Sequence, residues 1–347
     1  MRKIRRNLCK KKILVTGAGG FIGHHLTKYL KEKGYWVRGV DIKHPEYETS
    51  AADEFEILDL RRWGNCLQAT RGINQVYNLA ANMGGIGFIE THKAEIVHDN
   101  ILINIHMLEA ARINKIEEYL YTSSACIYPG YLQNTPNVTP LKEDEAYPAD
   151  PEDGYGWEKL YTERACRHYR EDHGLKTHIV RFHNIYGPLG EYDGGREKSP
   201  AAICRKVSLA KHIDSIEVWG DGTRTRSYCY IDDCVQGIYK LMQSNYYEPL
   251  NLGTDRLVSI NELVDIIAKV ANKKIDKDYD LTKPQGVKGR NSNNDLLKEI
   301  LDFEPKTSLE DGLKITYDWI HSELEKSGKI NSENIIPLKA KNVEHQR

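Results

Sequence analysis

Apolar residues in the first half of the chain fall in short runs that alternate with longer stretches of helical spacing. Lys12-Ile13-Leu14-Val15-Thr16 reads as a short buried strand, and a helical pattern follows from the next glycines through Lys33. Further apolar runs stand at 37–41, 55–58, 75–81, 119–123 and 177–181, with long helical segments at about 92–115 and 155–173. Such alternation predicts an α/β fold, a doubly wound parallel sheet with helices on both faces. Ligands of such sheets bind at the carboxyl ends of the strands. Gly17, Asp41, Asp59, Ala80, Ser124 and Asn184 all fall there.

From Gly187 the pattern changes. Glycine, proline and charge concentrate in 187–200, helical pieces follow at about 200–211, 232–243, 259–271 and 308–326, and strands are expected to be short and scattered. The division this predicts is a nucleotide-binding domain over 11–186, returning to the sheet near 226–253, and a smaller, mainly substrate-binding domain over 187–326. Residues 1–10 and 328–347 are expected to be flexible tails.

The first strand runs into Gly17-Ala18-Gly19-Gly20-Phe21-Ile22-Gly23 and then a helix. In that context Gly17 permits the tight turn, Gly20 lets backbone approach a pyrophosphate, and Gly23 allows the helix to pack closely on the strand. Free N–H groups at the helix start then face the phosphates. Asp41 ends the second strand, where a carboxylate bonds an adenosine ribose and repels the 2′-phosphate of NADP. Lys43 beside it weakens that discrimination. The expected cofactor is NAD in a Rossmann-type sheet, with Gly17, Gly20, Phe21, Ile22, Gly23, Asp41, Asp59, Leu79, Ala80, Tyr155 and Lys159 around it.

Tyr155 and Lys159 are four residues apart and share one helix face. A lysine beside a phenol lowers the phenol's pKa and lets it act as a base near neutral pH. Trp157, between them, lies on another face. Ser124 ends an apolar run and can hydrogen-bond the same substrate oxygen. Two residues on, Cys126 offers a second kind of proton transfer, although a cysteine taken alone is more often a core residue.

Charge and composition narrow the partners. Lys+Arg 49 against Asp+Glu 50 leaves no global electrostatic case for nucleic acid or an anionic membrane. No apolar run reaches the length of a membrane span, and the basic start 1–6 lacks the apolar stretch of a secretory signal. Seven cysteines without a C-x-x-C pair point to reduced thiols in a cytoplasmic setting, and Cys9, Cys66, Cys166, Cys204, Cys229 and Cys234 carry no assigned chemistry. Thirteen histidines show no metal-ligand spacing, so no metal is expected.

The Gly17/Gly20/Gly23 turn, Ser124 with Tyr155-x-x-x-Lys159, and Arg181-x-x-Asn184-x-Tyr186-Gly187-Pro188 together resemble the extended short-chain dehydrogenase/reductase family, over roughly residues 11–326. That family contains nucleotide-sugar epimerases and dehydratases. A finer resemblance, to its members that epimerise GDP-mannose at C3 and C5, rests on five segments: 82–88, 123–129, 182–188, Gly194-Gly195-Arg196-Glu197-Lys198-Ser199-Pro200-Ala201-Ala202, and Gly289-Arg290-Asn291-Ser292.

The resemblance implies a mechanism. Hydride leaves C4 of the hexose for NAD while Tyr155, held by Lys159, removes the C4 hydroxyl proton. The C4 ketone acidifies C3 and C5. Cys126 as base and Lys198 as acid then act on opposite ring faces, giving GDP-L-galactose, or GDP-L-gulose after C5 alone. It also implies that Met83, Gly84 and Gly85 line the sugar, that Asn184 holds diphosphate or hexose, and that Arg226, with Arg290 and Lys206, faces phosphate. Helices 92–115 and 155–173 would pair across a two-fold axis in a homodimer. A stripe of Ile101, Ile105, Leu108 and Ala111 fits that pairing or packing on the sheet equally.

Alternatives stand beside this reading. A 4,6-dehydratase commonly carries an acidic pair where Ala125-Cys126 stands, and a C4-epimerase leaves the Lys198 loop unexplained. A non-catalytic NAD-binding regulator would not need Ser124, Tyr155 and Lys159. Stretch 130–135 has no informative pattern, so a modified mannose such as a heptose stays open as substrate.

Overall fold

The computed structural model describes residues 11–330. Its centre is a seven-stranded, all-parallel sheet. The strands are β1 (Lys12–Thr16), β2 (Trp36–Asp41), β3 (Glu54–Ile57), β4 (Gln75–Asn78), β5 (Glu118–Ser124), β6 (Lys176–Phe182) and, later in the chain, Pro249–Leu252. In space the order runs from 249–252 through β6, β5, β4, β1 and β2 to β3. The order reverses between β1 and β4, and the crevice there is where such sheets bind ligands. Ile13, Val15, Tyr77, Leu120 and Val180 belong to one buried cluster, Leu14, Val76, Tyr119, Tyr121 and Ile179 to another. The period-two split shows a sheet covered on both faces, which is why its strands read as apolar runs.

One face carries α1 (Phe21–Glu32), and the other carries α2 (Trp63–Thr70) and, after the short α3 (Ile86–Thr91), α4 (Lys93–Ile113) and α5 (Asp153–His173). The segment 92–115 thus forms one long helix with a short one before it. Its apolar stripe divides: Leu108 and Ala111 are fully buried, while Ile101 and Ile105 sit half-buried at the edge of the buried arc.

Beyond β6 the chain builds α6 (Ser199–Leu209), α7 (Ile231–Met242), α8 (Ile260–Val270), α9 (Asp295–Leu301) and α10 (Leu309–Lys326). The expected return to the sheet is narrower than 226–253: only Pro249–Leu252 joins it, while Thr225–Arg226 and Cys229–Tyr230 pair in separate small sheets. The strands here are also not all short, because Ile213–Trp219 and Lys274–Asp280 form a seven-residue parallel pair. Alternation is weak in both, which hid them from a periodicity reading. At 328–330 the chain is held rather than loose: Lys329 pairs with Asp193 at 2.9 Å and Ile330 packs on the core. Residues 1–10, including Cys9, and 331–347 lie outside the described residues.

Candidate active site

A cavity of about 1040 Å³ runs along the carboxyl ends of the strands and into the part built by 187–290. All of the expected cofactor and substrate residues line it. At one end, Gly17 has φ +67°, a left-handed turn that a side chain would strain. A Cβ on Gly23 would overlap the Gly17 carbonyl, so only glycine lets α1 approach β1. Gly20 is the N-cap of α1 with no side-chain cap bond, leaving the first N–H groups open toward the cavity. Asp41 takes the Gly19 N–H at 2.9 Å and the Ile42 N–H at 2.6 Å. Burial holds its pKa above the ordinary aspartate value. Lys43 is paired with Glu191 at 3.3 Å, and its charge still favours the Asp41 carboxylate. An uncapped helix start beside a fixed carboxylate fits the diphosphate and ribose of NAD. Gly19 is a residue that sequence reasoning passed over: a Cβ there would overlap the Lys43 carbonyl.

Leu79 and Ala80 donate their N–H groups to Thr16 Oγ1, each at 3.1 Å, which ties the end of β4 to β1. Phe21 packs beneath Gly187 and Gly190, closing the cofactor end from above α1. Asp59 is occupied by Arg61, which holds its carboxyl below the ordinary range.

Tyr155 and Lys159 project from the first two turns of α5 and are both buried. Lys159 Nζ donates to the Thr122 carbonyl at 3.1 Å and lies 5.6 Å from the Tyr155 ring centroid. The phenol does not follow the lysine alone. Burial pushes its pKa above the ordinary tyrosine value, Cys126 and Glu158 add to that, and Ser124 and Arg290 oppose it. The expectation of a lowered value therefore fails here in sign, because desolvation outweighs a cation this far off.

Ser124 ends β5 and caps a single 3-10 turn, Ala125–Ile127, by accepting the Cys126 N–H at 3.2 Å. That turn aims Cys126 into the cavity. Its Sγ takes an N–H from Arg290 Nη1 at 3.3 Å. Arg290 is 5% exposed and triply held: Nε donates to Gln133 Oε1 at 2.7 Å and Nη2 to Glu152 Oε2 at 2.6 Å. Burial opposes its charge, but Cys126 and Glu152 outweigh that and keep its pKa above the ordinary arginine value. Gln133 and Glu152 are further members that sequence reasoning missed. The uninformative stretch 130–135 carries Gln133, whose role appears only when the short strand Gly289–Arg290 is folded against it.

Lys198 is the N-cap of α6, set in the loop that begins at Gly194. Burial lowers its pKa below the ordinary lysine value, with Cys126 and Cys234 acting the other way. Cys126 and Lys198 thus sit in one electrostatic field. Two loops frame them. Arg196 lies 3.8 Å over the Phe88 ring and donates to Asn82 Oδ1 and the Met83 carbonyl, while the Gly85 N–H donates to the Arg196 carbonyl. A Cβ on Gly85 would overlap the Glu197 carbonyl, and one on Gly84 would crowd Phe88. Met83 packs with Tyr155 and Cys126.

Asn184 adopts φ 47° and donates to the Ser227 carbonyl at 2.9 Å. Arg226 donates to the carbonyls of Thr225 and Val287, and burial beside Arg290 pushes its pKa down to about 10. Lys206 is on α6 with its ammonium on the Glu217 carbonyl at 2.8 Å and its carboxylate at 3.3 Å. It reaches the cavity rim as half of an ion pair rather than as a free cation.

These features define a nucleotide-cofactor enzyme with a tyrosine–lysine pair and a thiol in one chamber. Residues 13–253 match the NAD dependent epimerase/dehydratase family, and the chain belongs to it. The chain is 48% identical over 318 residues to the GDP-mannose 3,5-epimerase of Arabidopsis thaliana, covering 91% of this chain and 83% of that one. It is 29% identical to the UDP-glucuronate 4-epimerase of Thermodesulfobacterium geofontis, covering 90% and 97%. Among solved structures it resembles the UDP-glucose 4-epimerase of Thermotoga maritima with UDP-glucose, with TM-score 0.82, 26% identity and coverage of 90% and 99%. It also resembles the UDP-glucuronic acid 4-epimerase of Bacillus cereus with UDP-glucuronic acid and NAD, with TM-score 0.77, 26% identity and the same coverage.

Proposed function

We propose that the protein is an NAD-dependent isomerase that inverts C3 and C5 of GDP-D-mannose through a 4-keto sugar, yielding GDP-L-galactose, or GDP-L-gulose when only C5 inverts. The observation that carries this reading is the placement of Cys126, backed by Arg290 at 3.3 Å, in the same chamber as Tyr155, Lys159 and Lys198. A 4-epimerase has no work for a thiol and an ammonium beyond the tyrosine. The strong identity to plant GDP-mannose 3,5-epimerases supports the same substrate.

The roles follow from chemistry. NAD, when bound, supplies reversible hydride acceptance at C4. Tyr155 removes the C4 hydroxyl proton, and Lys159 holds the phenol and ribose side of the site. Ser124 both caps the thiol's turn and offers a hydroxyl to the C4 oxygen. With C4 a ketone, the protons at C3 and C5 become acidic. Cys126 takes a proton from one face and Lys198, protonated, returns one to the other, since inversion needs two groups on opposite sides. Arg226 and Asn184 face the diphosphate side, Arg290 backs the thiol, and Met83, Gly84 and Gly85 lie along the sugar. Residues 11–186 with 249–252 hold the cofactor, and 187–326 mainly hold the substrate.

Two coarser features complete the proposal. The six described cysteines are free thiols, which fits a reducing cytoplasmic setting. Among the described residues no helix is long and apolar enough to cross a membrane. The chain works as a homodimer through α4 and α5.

The test is incubation with GDP-D-mannose in deuterated water, read by NMR and mass spectrometry. Deuterium at both C3 and C5 is expected. Deuterium at C5 alone would make the protein a 5-epimerase. No exchange, with NAD bound, would overturn the GDP-mannose assignment and point to other nucleotide sugars, including heptoses.

A further inference from the structure

Glu152 has no part in the reaction as set out above, yet it touches both the turn that carries the thiol and the cation that backs it. It is the residue before α5, three positions ahead of Tyr155. Its backbone N–H donates to the Cys126 carbonyl at 3.0 Å, which fixes the start of α5 on the thiol's turn. Its carboxylate takes an N–H from Arg290 Nη2 at 2.6 Å, and the sister nitrogen Nη1 is the one 3.3 Å from the Cys126 sulfur. A guanidinium is a rigid planar fork, so fixing one terminal nitrogen fixes the direction of the other.

We propose that Glu152 is a positioning residue that holds the Arg290 guanidinium on the Cys126 thiol, serving the proton-exchange step and not the hydride step. The contact stands whatever the substrate, and only its purpose rests on the epimerase reading.

Gln133 holds Arg290 at Nε from the other side. With that anchor alone, the guanidinium plane can still tilt about the Nε–H bond and carry the terminal nitrogens off the sulfur. The charged and titratable groups that share the thiol's field are Arg290 and Arg226 from the small sheet, Glu152 and Tyr155 from the start of α5, and Lys198 ahead of α6. Glu152 therefore acts in two separable ways. Its tether brings a cation to the sulfur, while its own negative charge disfavours a thiolate nearby. Glutamine keeps the acceptor and removes the charge; alanine removes both.

The measurement is the rate at which iodoacetamide alkylates Cys126 in the full chain near neutral pH, read on the Cys126 peptide by mass spectrometry. The other described cysteines are buried, and the peptide readout separates them. Glu152→Gln is expected to react about threefold or more faster than Glu152→Ala, because only the glutamine variant retains an oriented, charge-assisted bond to the sulfur. Equal rates, or a faster alanine variant, overturn the proposal. One bound NAD per chain certifies each variant as folded, and Glu152→Leu replaces alanine if that variant fails this check. With GDP-mannose, C5 deuteration is expected to fall in Glu152→Ala and recover in Glu152→Gln, while reduction of bound NAD by the substrate stays equal. Parallel loss of both steps would reduce Glu152 to a structural role. If GDP-mannose is not a substrate, the alkylation comparison still decides.

Discussion

Tyr155 and Lys198 face opposite versions of one electrostatic problem. Each is forced toward its neutral form by burial, which raises the phenol and lowers the ammonium. For Tyr155 that means a base held protonated until a cation arrives, and Lys159 Nζ at 5.6 Å from its ring supplies only part of the needed field. The positive nicotinamide of NAD, when bound, would supply more of it. Tyr155→Phe is expected to lower kcat by about 10²- to 10⁴-fold while NAD content is unchanged. C3 and C5 deuteration should vanish with it, because no ketone forms, and persistent exchange would refute that order of events. For Lys198 the sign runs differently. An acid must carry its proton, and a lowered pKa surrenders that proton at lower pH. The alkaline limb of kcat should therefore begin below the ordinary lysine value of about 10.4. Lys198→Arg should remove this limb from the profile at a reduced rate, since arginine keeps its proton throughout. A pH–rate series on both proteins decides it.

Elements, not single residues, determine how closely these groups approach, and small residues set the limits. A Cβ on Gly156 would overlap the Cys126 carbonyl and press on Pro151, so Gly156→Ala must drive α5 from the 3-10 turn. Overpacking of this kind costs about 1–3 kcal/mol, readable as a lower melting temperature with a disproportionate loss of C5 exchange. Unchanged melting and exchange would show the contact to be slack. The same scale explains what was legible beforehand. The βα alternation, the glycine turn and the i,i+4 pair Tyr155/Lys159 are local, so apolar spacing located the first and short-range motifs the other two. Gln133, Glu152 and Gly19 are not. Gln133 and Arg290 are 157 residues apart and meet only because the strand Gly289–Arg290 folds back on the turn at 130–133. Glu152 reads as one more acid in an acidic stretch until its partner arrives from 138 residues away. The pair Ile213–Trp219 and Lys274–Asp280 escaped notice because charged and polar residues break the apolar pattern of both strands, although Ile216 and Val218 form a buried face on the first.

For the whole molecule the open question is what covers the outer side of α4 and α5. Both helices bury one side in the sheet through Met107, Leu108 and Cys166. On the other side Trp157 is 52% and Tyr161 55% exposed, one turn apart, and Ile101 and Ile105 are only half-buried. Two exposed aromatics on adjacent turns are an expensive surface for a chain with 29% charged residues, and aromatic residues are enriched where proteins meet. A two-fold axis would bring each pair of helices against its copy, making one self-complementary patch do the work of both sides. Sedimentation at micromolar concentration is expected to give a dimer. Trp157→Glu combined with Tyr161→Glu should shift it to monomer by placing like charges face to face. Neither residue touches the turn at Gly17 or Asp41, so NAD content should survive the change. Loss of epimerisation in such a monomer, with NAD retained, would mean that the pairing also steadies the start of α5, where Tyr155 and Glu152 stand. Retained epimerisation would make each chain a complete catalyst. A wild-type protein that sediments only as monomer would reject the pairing outright.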